Sequence, residues 1–272
     1  SGDAGCSLGS ALDFWHSHLG EARIVRKPDA MRGSYLGPMY EKAHIEELLT
    51  QCGAVFSPMP FDNVVQLTAA ALAEGKAVGW FQGEMEFGPR SLGNRSILGD
   101  PRDADTQSKL NLKIKFRESF RPFAPAVLYE EAAKWFDLST TSPYMLLVAQ
   151  VNDEKRIHLE DEDSRKQINT ARSVVPAITH VDYSARVQTI HQETNPRFHA
   201  LIREFFKFTG CPMVVNTSFN VRGEPIVLSP TDAFRCFMGT HMDMLVIGDF
   251  VLNKTDQDPA LLNSYLDEFE LD

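Results

Sequence analysis

The stretch "MEFGPRSLGNRSI", residues 85–97, sets Arg90 and Arg95 on a run that also holds Gly88, Pro89 and Gly93 and has little helical or strand periodicity. Arginine keeps its charge in a folded protein and offers a planar fork of donors that matches phosphate or carboxylate. Glycine permits positive φ or close backbone approach to a ligand, and proline fixes the chain between the two glycines. The stretch therefore reads as an anion site, against the plainer alternative of a surface turn with two solvated arginines. A second cluster lies in "IKFRESFRPFAP", where Lys115, Arg117 and Arg121 fall close together, with Glu118 among them to orient an arginine or balance charge. A lysine point charge beside forked arginines suits a polyphosphate or acyl phosphate in a transfer reaction. Charge on the non-bridging oxygens must be stabilised there as the leaving oxygen departs. The alternative for this cluster is a solvated basic helix.

Three weaker constellations follow. "VVNTSFNVRGEP" ends a β-branched strand in Asn216, Thr217, Ser218 and Asn220, followed by Arg222 and Gly223. Such amides and hydroxyls bond phosphate oxygens or a ribose, or else cap turns. In "THVDYSARVQT", Arg186 projects from a strand toward whatever His180 and Asp182 line, with His180 either a base or, more commonly for a lone histidine, structural. Asp3 sits between Gly2 and Gly5 just before a helix, placed to reach a metal from a turn whose helix N-terminus favours an anion. A frayed chain end is the alternative. His16 and His18, at i and i+2 of a helix, diverge and make a poor metal pair.

Composition narrows the setting. The 272 residues are 43% hydrophobic and 24% charged, those of an ordinary globular protein long enough for one large domain or two smaller ones. The net charge of −10 argues against generic nucleic-acid binding. Yet from Arg90 to Arg121 there are eight Lys or Arg against four acids, a local excess that points to a small anionic ligand. Cys6, Cys52, Cys211 and Cys236 are far apart and form no C-x-x-C pair, so neither a zinc ribbon nor a disulfide framework is expected, and a reducing cytoplasm is the default. No apolar run approaches the roughly 18 residues of a membrane span, and "SGDAGCSLGS" has no signal-peptide pattern. The P-loop, the G-x-G-x-x-G fingerprint and the G-x-S-x-G elbow are all absent from the sequence.

The elements that must carry these residues are legible from periodicity. Helices are predicted over "GSALDFWHSHLG", "YEKAHIEELLTQCG", "VVQLTAAALAEG", "ADTQSKLNLKIKF", "EEAAKWFDL", "PRFHALIREFFKFTG" and "SPTDAFRCFMGT", the last with Ser229 or Thr231 near its N-cap. "KAVGWFQ" reads as a strand that enters the arginine turn, placing the cations at a strand's carboxyl end, where open α/β sheets bind ligands. "RPFAPAVL", "YMLLVAQV" and "CPMVV" read as strands, "ITHVDYSARVQTI" as two strands around a turn, "NVRGEPIV" as a turn and a second extended run, and "MLVIGDFVL" as one final strand. Residues 153–170 read as an exposed charged insertion, and a proline-containing linker places a boundary near residue 62.

Laid end to end, "GWFQGEMEFGPRSLGNRSILGDPR", "IKFRESFRPFAPAV", "SPYML", "VPAITHVDYSARVQT" and "NTSFNVRGEPIVLSPTDAFRCF" resemble the C-terminal part of the ATP-dependent O-carbamoyltransferases of nodulation-factor and antibiotic biosynthesis. The resemblance implies an α/β fold: a twisted mixed sheet with helices, like threonylcarbamoyl-adenylate synthase (YrdC-like), over residues 63–255. Before it, residues 1–62 would be the C-terminal remnant of an ASKHA-type carbamoyltransferase domain plus linker, and residues 256–272 a tail. It implies an enzyme that makes carbamoyl-adenylate from carbamoyl phosphate and ATP for transfer to a hydroxyl of a sugar or natural product. In that reading Arg90, Lys115 and Arg121 bind carbamoyl phosphate and the ATP phosphates, with Arg95, Arg117 and Arg186 as weaker candidates for the same pocket. Asn216, Thr217, Ser218 and Asn220 line the adenylate site, and Asp3 is one ligand of an incomplete metal site. Mg²⁺ is expected with ATP, and a transition metal such as iron only in the N-terminal domain of a full-length protein. The hydroxyl acceptor would bind through that same domain, so this chain is expected to activate carbamoyl without completing transfer. Nucleic-acid and membrane partners are not expected, and a homodimer is left open. A non-catalytic nucleotide- or RNA-binding module of the same fold is the alternative, separable by its salt dependence.

Overall fold

The computed structural model describes residues 2–26, 29–116, 118, 121–157 and 170–262. Nine strands form one mixed sheet: β1 (Ser57–Pro58), β2 (Val78–Phe81), β3 (Arg95–Gly99), β4 (Ala124–Leu128), β5 (Leu147–Gln150), β6 (Ser184–Ile190), β7 (Met213–Ser218), β8 (Met244–Ile247) and β9 (Phe250–Asn253). Their spatial order is β1-β9-β8-β2-β3-β7-β4-β6-β5. The β2–β8 and β4–β6 pairs are parallel and the other neighbours antiparallel. Among the described residues the helices are α1 (Gly2–Asp13), α2 (Lys42–Gln51), α3 (Phe61–Ala73), α4 (Ala104–Lys113), α5 (Tyr129–Ala132), α6 (Pro196–Thr209) and α7 (Pro230–Met238). The architecture is α/β, as the sequence implied. No helix among the described residues is long and apolar enough to cross a membrane.

Side chains alternate across a sheet, yet every residue of β2, β3, β4 and β8 is buried, so both faces are covered. The covering helices bury one stripe each. In α6 that stripe is Phe198, Leu201, Ile202 and Phe205, at helical spacing, and α6 packs against α3. Asn195 caps α6 by accepting from the Phe198 N–H, and Gly210 ends it at φ +70°. In α7, Ser229 and Asp232 form a reciprocal capping box. Ser229→Ala is expected to cost about 1 kcal/mol, read as a lower urea midpoint at unchanged slope.

The segment before α3 is tied to the sheet. β1 pairs with β9, Ile45 and Leu49 of α2 enter the core, and the Gln257 side chain brackets the Val55 backbone from the other end of the chain. By contrast, Leu8, Leu12 and Trp15, on α1 and the turn after it, are exposed.

Four local expectations need correction. "MLVIGDFVL" is not one strand but the β8–β9 hairpin, turned at Gly248–Asp249, where Gly248 takes φ +58°. "ITHVDYSARVQTI" holds one strand, β6, because residues 180–183 are spent on a turn closed by Tyr183 N–H to His180 O, with Tyr183 at φ +63°. The run after Gly223 forms no strand, its backbone being bonded locally through Glu224 and Phe219. "EEAAKWFDL" shortens to the single turn α5. Most of the charged insertion, residues 158–169, and the tail from residue 263 lie outside the described residues.

Candidate functional site

Strand β7 lies between β3 and β4 and runs antiparallel to both, so its carboxyl end meets the starts of its two neighbours. Ser96 stands opposite Ser218, Leu98 opposite Asn216, and Ala124 opposite Asn216. β6 runs parallel to β4, with Ala126 beside Gln188, which carries Arg186 to the same end of the sheet as Ala124. The loop holding Gly88–Ser91 enters β3 from this end too. Four separate stretches of sequence therefore converge where β7 stops.

Two adjoining hollows open there. One, of about 250 Å³, is lined by Arg90, Arg121 and Arg186 with Ser91, Asn216, Thr217 and Ser218, and no carboxylate stands among its described lining residues. The other, of about 590 Å³, shares Arg121 and Ser218 and adds Lys115, Asn220 and Arg222 with Glu118 and Glu224. Arg90 is exposed at the rim and Arg186 is half-buried on β6, its Nε enclosed and without a hydrogen-bond partner. Burial, and then the neighbouring charge of Arg90, lower the pKa of the Arg186 guanidinium. Like charges held close and partly dehydrated are stabilised by an anion, so the smaller hollow is poised to take one.

Lys115 follows α4 and is buried. Its Nζ donates to Ser218 O and Oγ (3.1 Å for Oγ) and to Asn220 O and Oδ1 (both 2.8 Å). The ammonium so organises the polar turn after β7. Asn220 in turn donates to Glu224 O at 2.6 Å, and Glu224 Oε2 accepts from the Val221 N–H. Arg121 is exposed and its Nε lies 3.1 Å from Glu118 Oε2, a surface pair weak enough to exchange for a ligand. Asn216 is oriented by donating to Ser91 O and Gln188 Oε1, which leaves its Oδ1 unpartnered.

Arg95, expected beside Arg90 in one anion pocket, turns the other way. Its guanidinium is fully buried over the Phe81 ring and donates to the carbonyls of Gln82, Asn94, Pro38 and Gly83. Burial pushes its pKa down to about 10. It lines neither hollow, because its fork is satisfied by backbone oxygens. His180 is exposed, 3.2 Å from Asp182, and the two line a third hollow together with Arg186, which also lines the smaller one, so Arg186 does face what His180 and Asp182 line. Arg117 and the side chain of Asp3 lie outside the described residues, though the backbone of Asp3 lies within α1 rather than on a turn before it. Among the described residues no group of three His, Cys, Asp or Glu is placed to hold a metal ion.

Sequence reasoning passed over Glu86, Ser91 and Gln188, whose work is to shape the arginine loop. Gln188 donates to Leu92 O and accepts from Asn216; Glu86 Oε1 accepts the N–H groups of Leu92, Asn94 and Arg95. Glu86 stood in plain view four residues before Arg90, but its pairing is with backbone, which leaves no mark in residue types. Gly93 is required by the same packing: it holds φ +110°, and a Cβ there would meet the Phe198 ring at 2.2 Å.

Residues 69–254 match the protein-family model described as carbamoyltransferase C-terminus. Among curated proteins, an uncharacterized Synechocystis protein is 53% identical over 100% of this chain and 45% of its own length. Nodulation protein NolO of Bradyrhizobium diazoefficiens is 41% identical over 97% of this chain and 44% of its own length. The 3'-hydroxymethylcephem-O-carbamoyltransferase of Streptomyces clavuligerus is 30% identical over 91% of this chain and 41% of that one. The chain thus spans less than half the length of these relatives. A solved structure, full-length HypF in a phosphate- and nucleotide-bound form, aligns with 87% of this chain at 19% identity and a TM-score of 0.44, a likeness too loose to build on.

Proposed function

The chain belongs to the carbamoyltransferase C-terminal family, and on that premise we propose that its cleft gathers carbamoyl phosphate and ATP and forms carbamoyl-adenylate, for transfer to a hydroxyl of a sugar or natural product. The observation that supports this most is the smaller hollow, with three arginines and no described carboxylate at the end of β7. Arg90, Arg121 and Arg186 hold the phosphate of carbamoyl phosphate. Lys115, Ser218 and Asn220, in the adjoining hollow, face the triphosphate, Ser218 and Arg121 line both hollows, and Asn216 and Thr217 line the smaller one. With the two anions side by side, phosphate leaves the carbamoyl group as water adds. A carbamate oxygen then attacks the α-phosphorus of ATP, forming the new P–O bond as pyrophosphate departs. The cations stabilise charge on both leaving groups and hold the reactants in line. Mg²⁺ arrives on the nucleotide's own phosphates.

In this reading residues 63–255 are a YrdC-like domain, residues 1–62 the end of an ASKHA-type domain with its linker, and residues 256–272 a tail. The acceptor site belongs to the part of the relatives that this chain does not span. The test is calorimetric titration of carbamoyl phosphate, with and without a non-hydrolysable ATP analogue, into the intact chain and into Arg186→Ala. Loss of one charge-assisted contact is expected to weaken binding roughly 10- to 150-fold. Equal affinity in the two proteins would remove Arg186 from the site, and no binding to the intact chain would remove the reading.

A further inference from the structure

We infer that Glu86 is a positioning residue for the anion site, setting the place of Arg90 through the backbone of the loop that follows it. The inference rests on the reading of the arginine hollow as an anion site. Glu86 is 5% exposed. Its Oε1 accepts the Leu92 N–H at 2.6 Å, the Asn94 N–H at 2.8 Å and the Arg95 N–H at 3.3 Å, while its Oε2 has no hydrogen-bond partner. A loop entering a strand leaves buried N–H groups without a ladder, and each must find an acceptor. One carboxylate oxygen supplies three. The carbonyl side of the same loop is held as firmly. Ser91 O accepts from Asn216, and Leu92 O accepts from Tyr35 Oη at 2.8 Å and Gln188 Nε2 at 2.9 Å. Arg90 is the first residue upstream of this pinned stretch, so its Cα is placed by bonds that its own side chain does not make.

A carboxylate is a costly choice for this work. Burial raises its pKa, and the adjacent guanidinium of Arg95 spends its donors on four carbonyls rather than on Glu86. A negative charge near an anion pocket also opposes the ligand by Coulomb's law. That opposition makes a clean discriminator. If Glu86 acted on the ligand only through its charge, removing the charge would tighten binding; a positioning residue loosens it instead.

The experiment is calorimetric titration of inorganic phosphate into the intact chain, E86Q, R90A and E86Q/R90A, each first confirmed as folded by near-UV circular dichroism. Glutamine keeps an acceptor oxygen at the same reach, so E86Q retains the loop in a looser form. E86Q is expected to bind phosphate roughly three- to tenfold more weakly, and to add nothing further in the R90A background. E86D, whose shorter side chain cannot reach all three N–H groups, is expected to weaken binding while keeping the charge. Unchanged or tighter binding in E86Q, or an equal loss with and without Arg90, would overturn the inference while leaving the anion site standing. Phosphate binding in R90A equal to that of the intact chain would overturn both.

Discussion

Arg95→Ala is expected to destabilise the fold by about 3–5 kcal/mol, the cost of breaking a buried charged network by removing one partner. The side chain is fully buried, holds the carbonyls of Gln82, Gly83, Asn94 and Pro38, and lies 3.5 Å over the Phe81 ring. Deletion strips the buried Gln82 and Asn94 carbonyls of their donor, opens a void under Phe81 and leaves the Glu86 carboxylate without its neighbouring cation. For a chain of this size the melting temperature would fall by on the order of 10 °C in a thermal scan. Arg95→Lys is expected to recover little, because a single ammonium cannot span a fork of four carbonyls.

The same substitution has a pH signature. Glu86 has its folded-state pKa raised, by burial first, and Arg95 is the cation that opposes that rise. A carboxyl with a raised folded pKa favours the fold when protonated, so its contribution is fully present below the unfolded value of about 4.3 and is lost as pH rises through the folded value. Without Arg95 that folded value moves further up. The stability gap between Arg95→Ala and the intact chain should therefore widen as pH rises through the folded value of Glu86, followed by urea denaturation across a pH series. A gap that narrows with rising pH would contradict the coupling.

Lys115→Ala carries the largest expected effect on chemistry. Its ammonium binds Ser218 and Asn220 through four oxygens on the wall of the larger hollow, and Ser218 lines the smaller one as well. In the proposed reaction it stabilises the departing pyrophosphate and also keeps the turn that presents Ser218. Loss of one such preorganised donor costs about 10²–10³ in turnover. Carbamoyl-phosphate-dependent exchange of pyrophosphate into ATP is the assay, and the drop should appear in turnover at saturating substrate. The stability cost is expected to be smaller, about 1–3 kcal/mol, since water in the open hollow can reach the freed oxygens. A variant that unfolds outright, or one with undiminished exchange, would move Lys115 from the reaction to the scaffold or out of the site.

Much of this protein can be read without coordinates. Local periodicity located α2, α3, α6 and α7, since a stripe of apolar residues at helical spacing states which side of a helix is buried whatever it packs on. The motif order named the family, and the clusters around Arg90, Lys115 and Ser218 were visible as residue types that chemistry would require. Only the tertiary structure separated Arg90 from Arg95. Five residues apart on one glycine-rich run, they carry the same charge, and their fates differ because one lines an open hollow and the other a cage of carbonyl oxygens. Arg186, far along the chain, joins Arg90 only because β6 runs beside β4. The β8–β9 turn was legible as Gly248–Asp249 between two apolar runs and was passed over. The task of Glu86 was hidden because it depends on where backbone N–H groups find partners, and nearly every residue carries those groups alike. A sequence declares which side chains want burial or charge; which backbone groups they must satisfy is decided when distant segments meet.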